Sequence, residues 1–174
     1  MLTARRIRQL FDALNDELAT EGIQGEIGLC GGAVMCLVFK ARAATKDIDG
    51  IFAPTEAIRA AGVRIAKRFG LAPGWLNDAA KAFFLADPPR RDVLAFSHLR
   101  IGAPTAQYML AMKCIAARFD THDRTDAVFL IKHLRLRSPK EVFAILEDYY
   151  PRKRISPKTQ FLVEEIFERR RHSP

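Results

Sequence analysis

The sequence predicts an α/β fold of the α+β kind, in which a small mixed β-sheet is flanked by helices and followed by a helical C-terminal part. Residues 26–30 form a short apolar run that meets two glycines and then a longer apolar stretch, which is the order strand, turn, helix. Residues 47–53 alternate polar and apolar side chains, as a strand with one buried face does. The pattern is helical from residue 104 onwards. The 174 residues therefore predict an α/β core with a leading helix over 1–102 and a helical part over 103–174.

The elements of the core follow from the spacing of apolar residues and from glycine and proline. The leading helix depends on apolar residues at helical spacing: Ile7, Leu10, Phe11, Leu14 and Leu18. Behind it the pattern predicts a helix over 33–39, a strand over 47–53, a helix over 55–69 capped by Thr55, and one or two strands over 93–101. Residues 75–78 have no assignment, and Pro88-Pro89 marks a loop.

The C-terminal part is predicted to consist of successive helices. Pro104 suits the first position of a helix, and residues 108–119 continue it without a helix breaker. A second helix is predicted over 126–137. Residues 138–141 combine a capping box with a proline in the first turn, which predicts the start of the next helix. A last helix is predicted over 156–171.

Composition and charge narrow the class of protein. Apolar residues make up 49% of the chain, which is enough for a core and excludes disorder as the main state. The 28 Lys and Arg against 20 Asp and Glu give a net charge of +8. Residues 88–174 carry 17 basic and 10 acidic side chains, and therefore most of this surplus. A basic half indicates a polyanionic partner, nucleotide or nucleic acid, although a basic surface without such a partner is the alternative.

The cysteines and the termini indicate a cytoplasmic protein. Cys30, Cys36 and Cys114 are odd in number, lie in apolar contexts and form no CxxC pair, so they indicate neither a disulfide framework nor a zinc site. The N-terminus begins an amphipathic helix rather than a signal peptide, and no segment approaches the ~18 apolar residues that span a bilayer. We expect no membrane partner.

Asp47 and Asp49 are the candidate catalytic residues. In a strand, a period of two places both carboxylates on one face and Ile48 in the core. Paired carboxylates can hold divalent ions ~3.5–4 Å apart, which stabilise the attacking and leaving oxygens of a phosphoryl or nucleotidyl transfer. Gly31-Gly32, between a strand and a helix, would let backbone N–H groups approach a triphosphate with no Cβ in the way. It is not a P-loop, because no GxxxxGK[ST] pattern follows.

These residues resemble a known signature. Gly31-Gly32-Ala33, a helix, and then Arg42-Ala43-Ala44-Thr45-Lys46-Asp47-Ile48-Asp49 are similar to the glycine pair and paired acids of the polymerase-beta-like nucleotidyltransferase superfamily. The similarity is closest to its bacterial minimal and abortive-infection-toxin-like branch, although Arg42 lies three positions before Thr45 instead of two. The stretch 108–118, with a lysine and an arginine, and the acidic stretch 120–126 behind it are similar to the same branch. The resemblance covers residues 31–49 and 107–134.

The resemblance implies a magnesium-dependent nucleotidyltransferase that moves a nucleoside monophosphate from a nucleoside triphosphate to an RNA, such as a tRNA end, or to a protein. It implies Mg²⁺, up to two ions, as the cofactor, and a toxin–antitoxin system with a cognate antitoxin as a setting. The resemblance implies that Asp47 and Asp49 are catalytic and hold the metal. It also implies that the nucleotide is bound by Gly31, Gly32, Thr45, Lys113 and Arg118.

One expected feature is missing from the sequence. The family has a third carboxylate on a later strand, and residues 93–97 contain none. Asp92 at the edge of that strand and Asp78 are the candidates. Without a third acid, metal binding weakens, and the alternative function is a degenerate nucleotidyltransferase fold that binds nucleotide, RNA or a partner protein without catalysis. A hydrolytic nuclease would share the metal site, but the chain offers no general base for it.

Several of these residues also have structural interpretations. Gly31-Gly32 could serve close packing alone, and Asp49-Gly50 could simply end a strand. Lys113 is as compatible with a solvated position as with a phosphate contact. Asp123 is expected to cap a helix or to pair with Arg118, and Trp75 is expected in the core rather than under a nucleotide base.

Overall fold

A computed structural model of the chain describes residues 1–79, 88–116 and 122–171 and confirms the predicted α+β class. These residues form two compact units. Unit 1 holds residues 1–79 and 89–104, and unit 2 holds Pro88, 105–116 and 122–171.

Unit 1 contains the β-sheets and three helices. In chain order its elements are β1 (Leu2–Thr3), α1 (Ala4–Thr20), β2 (Gly25–Cys30), α2 (Gly31–Leu37), β3 (Ala44–Thr45), β4 (Ile48–Ala53), α3 (Thr55–Phe69), β5 (Leu76–Asn77), β6 (Arg90–Ala95) and β7 (Leu99–Pro104). The main sheet has the order β5-β4-β2-β7-β6, and β1 pairs with β3 in a two-stranded sheet. The central strand β2 is antiparallel to β4 and parallel to β7.

The two faces of the main sheet have different environments. A Cβ placed on Gly25 would lie 2.7 Å from Leu18 of α1 and 3.4 Å from Ile58 of α3, so this face packs on those two helices. Alternate residues of a strand point to opposite faces. Gly28 and Cys30 therefore lie on the other face, together with their register partners on β4, of which Asp49 pairs with Cys30. We call this surface the Asp49 face.

Unit 2 is helical. It consists of α4 (Ala106–Ala116), α5 (His122–His133), α6 (Pro139–Tyr149), a 3₁₀ turn (Arg152–Arg154) and α7 (Pro157–Arg171). The predicted start of α6 is confirmed: Ser138 is the N-cap, its hydroxyl accepts from the Glu141 N–H, and Pro139 is the first helical residue. Seven successive residues of α4, from Tyr108 to Cys114, are buried.

Several predicted boundaries in unit 1 are shifted. Thr55 is the first residue of α3 rather than its cap, because its hydroxyl donates to the Phe52 carbonyl. The helix expected over 33–39 begins at Gly31, directly after β2. Residues 93–101 contain the end of β6 and the start of β7, separated by residues 96–98. Residues 75–78 contain β5, which extends the sheet parallel to β4.

Two boundaries in the C-terminal part are also shifted. Pro104 ends β7 instead of opening a helix, and the Thr105 hydroxyl accepts from the Tyr108 N–H in the first turn of α4. The helix predicted over 126–137 runs from His122 to His133. It ends early because Arg135 adopts a left-handed conformation, with φ of 57°, which the α-helix does not permit.

No helix in the described part of the chain has both the length and the apolar composition needed to cross a membrane.

Candidate active site

Asp47 and Asp49 lie on either side of a fully buried isoleucine. Asp47 directly precedes β4, Ile48 begins the strand with 0% exposure, and Asp49 follows it. Both aspartates are half-buried. Within β4, alternation directs Ile48 into the core and Asp49 towards the other face, whereas Asp47 lies in the bend before the strand.

The Asp49 carboxylate lies against the start of α2. A Cβ placed on Gly31 would be 2.8 Å from Oδ2 of Asp49, which is closer than real Cβ contacts come. Gly31 also has a φ of 62°, in the left-handed region that favours glycine. Since Cys30 and Asp49 are register partners, the change from β2 to α2 occurs directly beside this carboxylate.

 The second glycine lies against a hydroxyl and a guanidinium, on Thr45 and Arg42, which both belong to the stretch that resembles the superfamily signature. A Cβ on Gly32 would overlap the Thr45 hydroxyl oxygen and would lie 3.4 Å from Nη1 of Arg42. Thr45 is buried, with 4% exposure, and Arg42 is half-buried. The Thr45 hydroxyl therefore lies next to Gly32, and the Arg42 guanidinium places a positive charge near the same glycine.

Sequence reasoning did not select Arg90, which also lies on the Asp49 face. A Cβ on Gly28 would overlap Nη1 of Arg90, and one on Gly102 would lie 3.7 Å from Cβ of Arg90. Gly28 and Gly102 are register partners on β2 and β7. The Arg90 side chain therefore crosses β7 and places its guanidinium over β2. The position of the Arg90 guanidinium depends on the register of three strands, and no motif in the sequence indicates it.

The two candidates for a third carboxylate both have cationic partners. Asp92 is exposed on β6 and lies 3.5 Å from the Arg100 guanidinium. Asp78 forms an ion pair of 2.7 Å with Arg59 of α3. Asp78 follows Asn77, the register partner of Asp49, so alternation along the chain directs Asp78 towards α3 and away from the Asp49 face.

Lys113 has two carboxylate partners in unit 2. Its ammonium lies 2.6 Å from Asp123 and 3.0 Å from Asp126, and the residue is 8% exposed. Of the two alternatives for Lys113, the solvated position is therefore wrong. Asp123 does not cap α5, which begins one residue earlier, at His122, and its alternative ion pair with Arg118 involves a residue outside the described part of the chain. The ion pairs connect α4 to α5. Arg118 lies outside the described residues.

The residues present are compatible with magnesium held by two protein ligands. Mg²⁺ is usually bound by one or two carboxylates, with waters and substrate phosphates completing its shell. Asp47 and Asp49 are the two carboxylates that would form such a pair. Within residues 1–79, 88–116 and 122–171 no group of three His, Cys, Asp or Glu side chains could hold a metal ion.

Comparison of the chain with protein-family models, with curated proteins and with solved structures found no match. The resemblance to the nucleotidyltransferase signature therefore depends on the motif residues themselves.

Proposed function

We propose that this chain is a magnesium-dependent nucleotidyltransferase that transfers a nucleoside monophosphate from a nucleoside triphosphate to an RNA or protein hydroxyl. The single observation that carries the proposal is the approach of the Asp49 carboxylate to Gly31. It places one of the two acids beside a stretch of backbone that has no Cβ, a combination that suits a metal–triphosphate complex.

Asp47 and Asp49 would hold the metal, and the backbone at Gly31-Gly32 with the Arg42 guanidinium would bind the phosphates. Bound Mg²⁺ supplies charge neutralisation at the reacting phosphate and at the leaving oxygen. The acceptor hydroxyl oxygen forms a bond to the α-phosphorus, the bond from that phosphorus to the bridging oxygen breaks, and pyrophosphate leaves. The hydroxyl proton passes to water. Lys113 takes no part in this assignment, because its ammonium is engaged by Asp123 and Asp126.

The acceptor and the setting follow from the resemblance to the toxin-like branch. They are a tRNA end or a partner protein, within a pair formed with a cognate antitoxin. A cytoplasmic location agrees with a nucleotide substrate and with three buried cysteines that form no disulfide bond.

Labelled nucleotide transfer tests the proposal. The protein is incubated with each α-labelled nucleoside triphosphate, Mg²⁺, and either total tRNA or candidate partner proteins. We expect label on the acceptor with the wild type and a loss of at least 100-fold with Asp47→Ala or Asp49→Asn. Asp12→Asn is the control, since Asp12 is an exposed residue of α1 in the same unit. Equal transfer by Asp49→Asn and wild type would refute the proposal.

A non-catalytic binding module is the second candidate. It is favoured by the lack of a three-residue metal cluster in the described part of the chain. Thermal unfolding with Mg²⁺ and each triphosphate separates the two functions, since a ligand at 100 times its Kd adds ~2.7 kcal/mol of stability. Stabilisation that needs Mg²⁺ and Asp49, without transfer to any acceptor, supports a nucleotide-binding module. Stabilisation by RNA alone supports an RNA-binding module.

A further inference from the structure

We propose that Arg90 is a binding residue for the triphosphate of the nucleotide, an inference that rests on the proposed function. The sequence motif does not include Arg90, which lies on β6, two strands away from the glycine pair in the order of the sheet.

The Arg90 side chain runs over two glycines of the sheet. Gly102 lies next to the start of the side chain, where a Cβ would be 3.7 Å from Cβ of Arg90 and 3.9 Å from Cδ. Gly28 lies beneath the guanidinium, where a Cβ would overlap Nη1. The side chain of Arg90 therefore runs from β6 across β7 to the central strand, and the absence of a side chain at Gly28 leaves the space that its guanidinium occupies.

This direction brings a positive charge towards Asp49. Gly28 pairs with Ile51, and Cys30 pairs with Asp49, so Gly28 and Asp49 are diagonal neighbours on one face. Diagonal neighbours in an antiparallel pair lie about 7–8 Å apart, within reach of a long side chain. The Arg90 guanidinium thus lies over Gly28, a diagonal neighbour of Asp49, and the Arg42 guanidinium lies at Gly32, next to the glycine that the Asp49 carboxylate contacts.

Another arginine on this face has a different set of neighbours. Arg100 lies 3.7 Å from Glu26 and 3.5 Å from Asp92. Arg100 therefore lies between Glu26 of β2 and Asp92 of β6, whereas the Arg90 guanidinium lies over Gly28, nearer to the glycine pair. A guanidinium is suited to phosphate, because its planar donors form two parallel hydrogen bonds to phosphate oxygens.

Calorimetry with inorganic tripolyphosphate and Mg²⁺ tests whether Arg90 binds phosphate. Because this probe has no nucleobase, the result does not depend on which nucleotide the protein prefers. We expect Arg90→Gln to weaken this affinity roughly 10- to 100-fold, the usual effect of losing hydrogen bonds to a charged group. Arg90→Lys should fall between this variant and the wild type, since it keeps the charge but loses the planar fork. Affinity for a nucleoside monophosphate should change much less than affinity for the triphosphate of the same base.

Gly28→Ala and Gly102→Ala form a matched pair of further variants. An added methyl group at Gly28 overlaps the end of a flexible side chain, so it displaces the guanidinium while the fold remains. The same methyl group at Gly102 meets ordinary van der Waals contacts of 3.6–3.9 Å. We expect Gly28→Ala to weaken tripolyphosphate binding, and Gly102→Ala to bind as the wild type does. In an Arg90→Gln background Gly28→Ala should have no further effect.

The possible outcomes separate this inference from the proposed function. If the wild type binds tripolyphosphate and Arg90→Gln binds it equally well, Arg90 is not a phosphate contact and the proposed function stands. If the wild type binds neither tripolyphosphate nor any triphosphate with Mg²⁺, the proposed function fails and the inference fails with it. Thermal unfolding of each variant checks folding, and Arg90→Lys and Arg90→Gln decide the matter if Gly28→Ala does not fold.

Discussion

The Asp49 carboxylate occupies the space that a side chain at residue 31 would need. A Cβ on Gly31 would lie 2.8 Å from Oδ2 of Asp49. The aspartate belongs to β4 and the glycine to the first turn of α2, so the contact joins two segments that are separated along the chain. The position of the carboxylate and the presence of glycine are therefore coupled, and this coupling can be tested.

Gly31→Ala should lower both stability and nucleotide transfer. Alanine at a φ of 62° costs about 1–2 kcal/mol of folding free energy, and its methyl group also displaces the Asp49 carboxylate. Gly70→Ala is the matched control, since Gly70 has the same φ of 62° but no atom within 4 Å of an added Cβ. We expect similar losses of stability in urea unfolding, with a loss of transfer confined to Gly31→Ala. Equal activity of the two variants would contradict the coupling.

Lys113→Met should destabilise the protein by about 3–5 kcal/mol, because it leaves the carboxylates of Asp123 and Asp126 without their buried cation. Arg124→Met is the control: Arg124 lies 3.7 Å from Glu165 in a pair that is partly exposed, so its loss should cost less than about 1 kcal/mol. Urea unfolding measures both. Folded Lys113→Met should still bind tripolyphosphate as the wild type does. A large loss of that affinity without a loss of stability would restore Lys113 as a phosphate contact.

Trp75, the single tryptophan of the chain, should report on the core rather than on a bound base. It is 2% exposed, and its indole N–H donates to the Gly62 carbonyl at 3.0 Å. We expect blue-shifted emission, weak quenching by iodide, and no change when a nucleotide with Mg²⁺ is added. Strong quenching of the native protein, or a nucleotide-dependent change that reaches saturation, would argue against this placement.

Stability should fall in alkaline solution in part because of Cys114. Burial raises the pKa of this thiol from 9.0 to about 12. The unfolded chain therefore loses the thiol proton at lower pH than the folded chain does. The contribution of this thiol to the free energy of unfolding is complete below pH 9 and decreases between pH 9 and 12. Cys114→Ala should show a shallower decline of unfolding free energy over that range. Identical slopes would mean that the thiol does not titrate differently in the two states.

The sequence predicted the parts of the candidate site that depend on local pattern. The order of strand, glycine pair and helix around Gly31, the alternation of burial at Ile48, and the capping box at Ser138 all depend on neighbours within a few residues. Helix boundaries were less predictable where residues distant in the sequence contribute contacts. Asp126 was expected to begin a helix, but α5 starts at His122 and brings two aspartates to Lys113.

By itself the sequence determined the mixed α/β class and the pairing of two aspartates about a core isoleucine, because periodicity and glycine chemistry act over short distances. Only the tertiary structure decided which groups meet across strands. Strand register placed Asp49 beside Cys30 and directed Arg90 over Gly28, while helix packing gave Lys113 its two carboxylates. Register and packing depend on the burial of whole faces, and a single stretch of sequence does not contain that information.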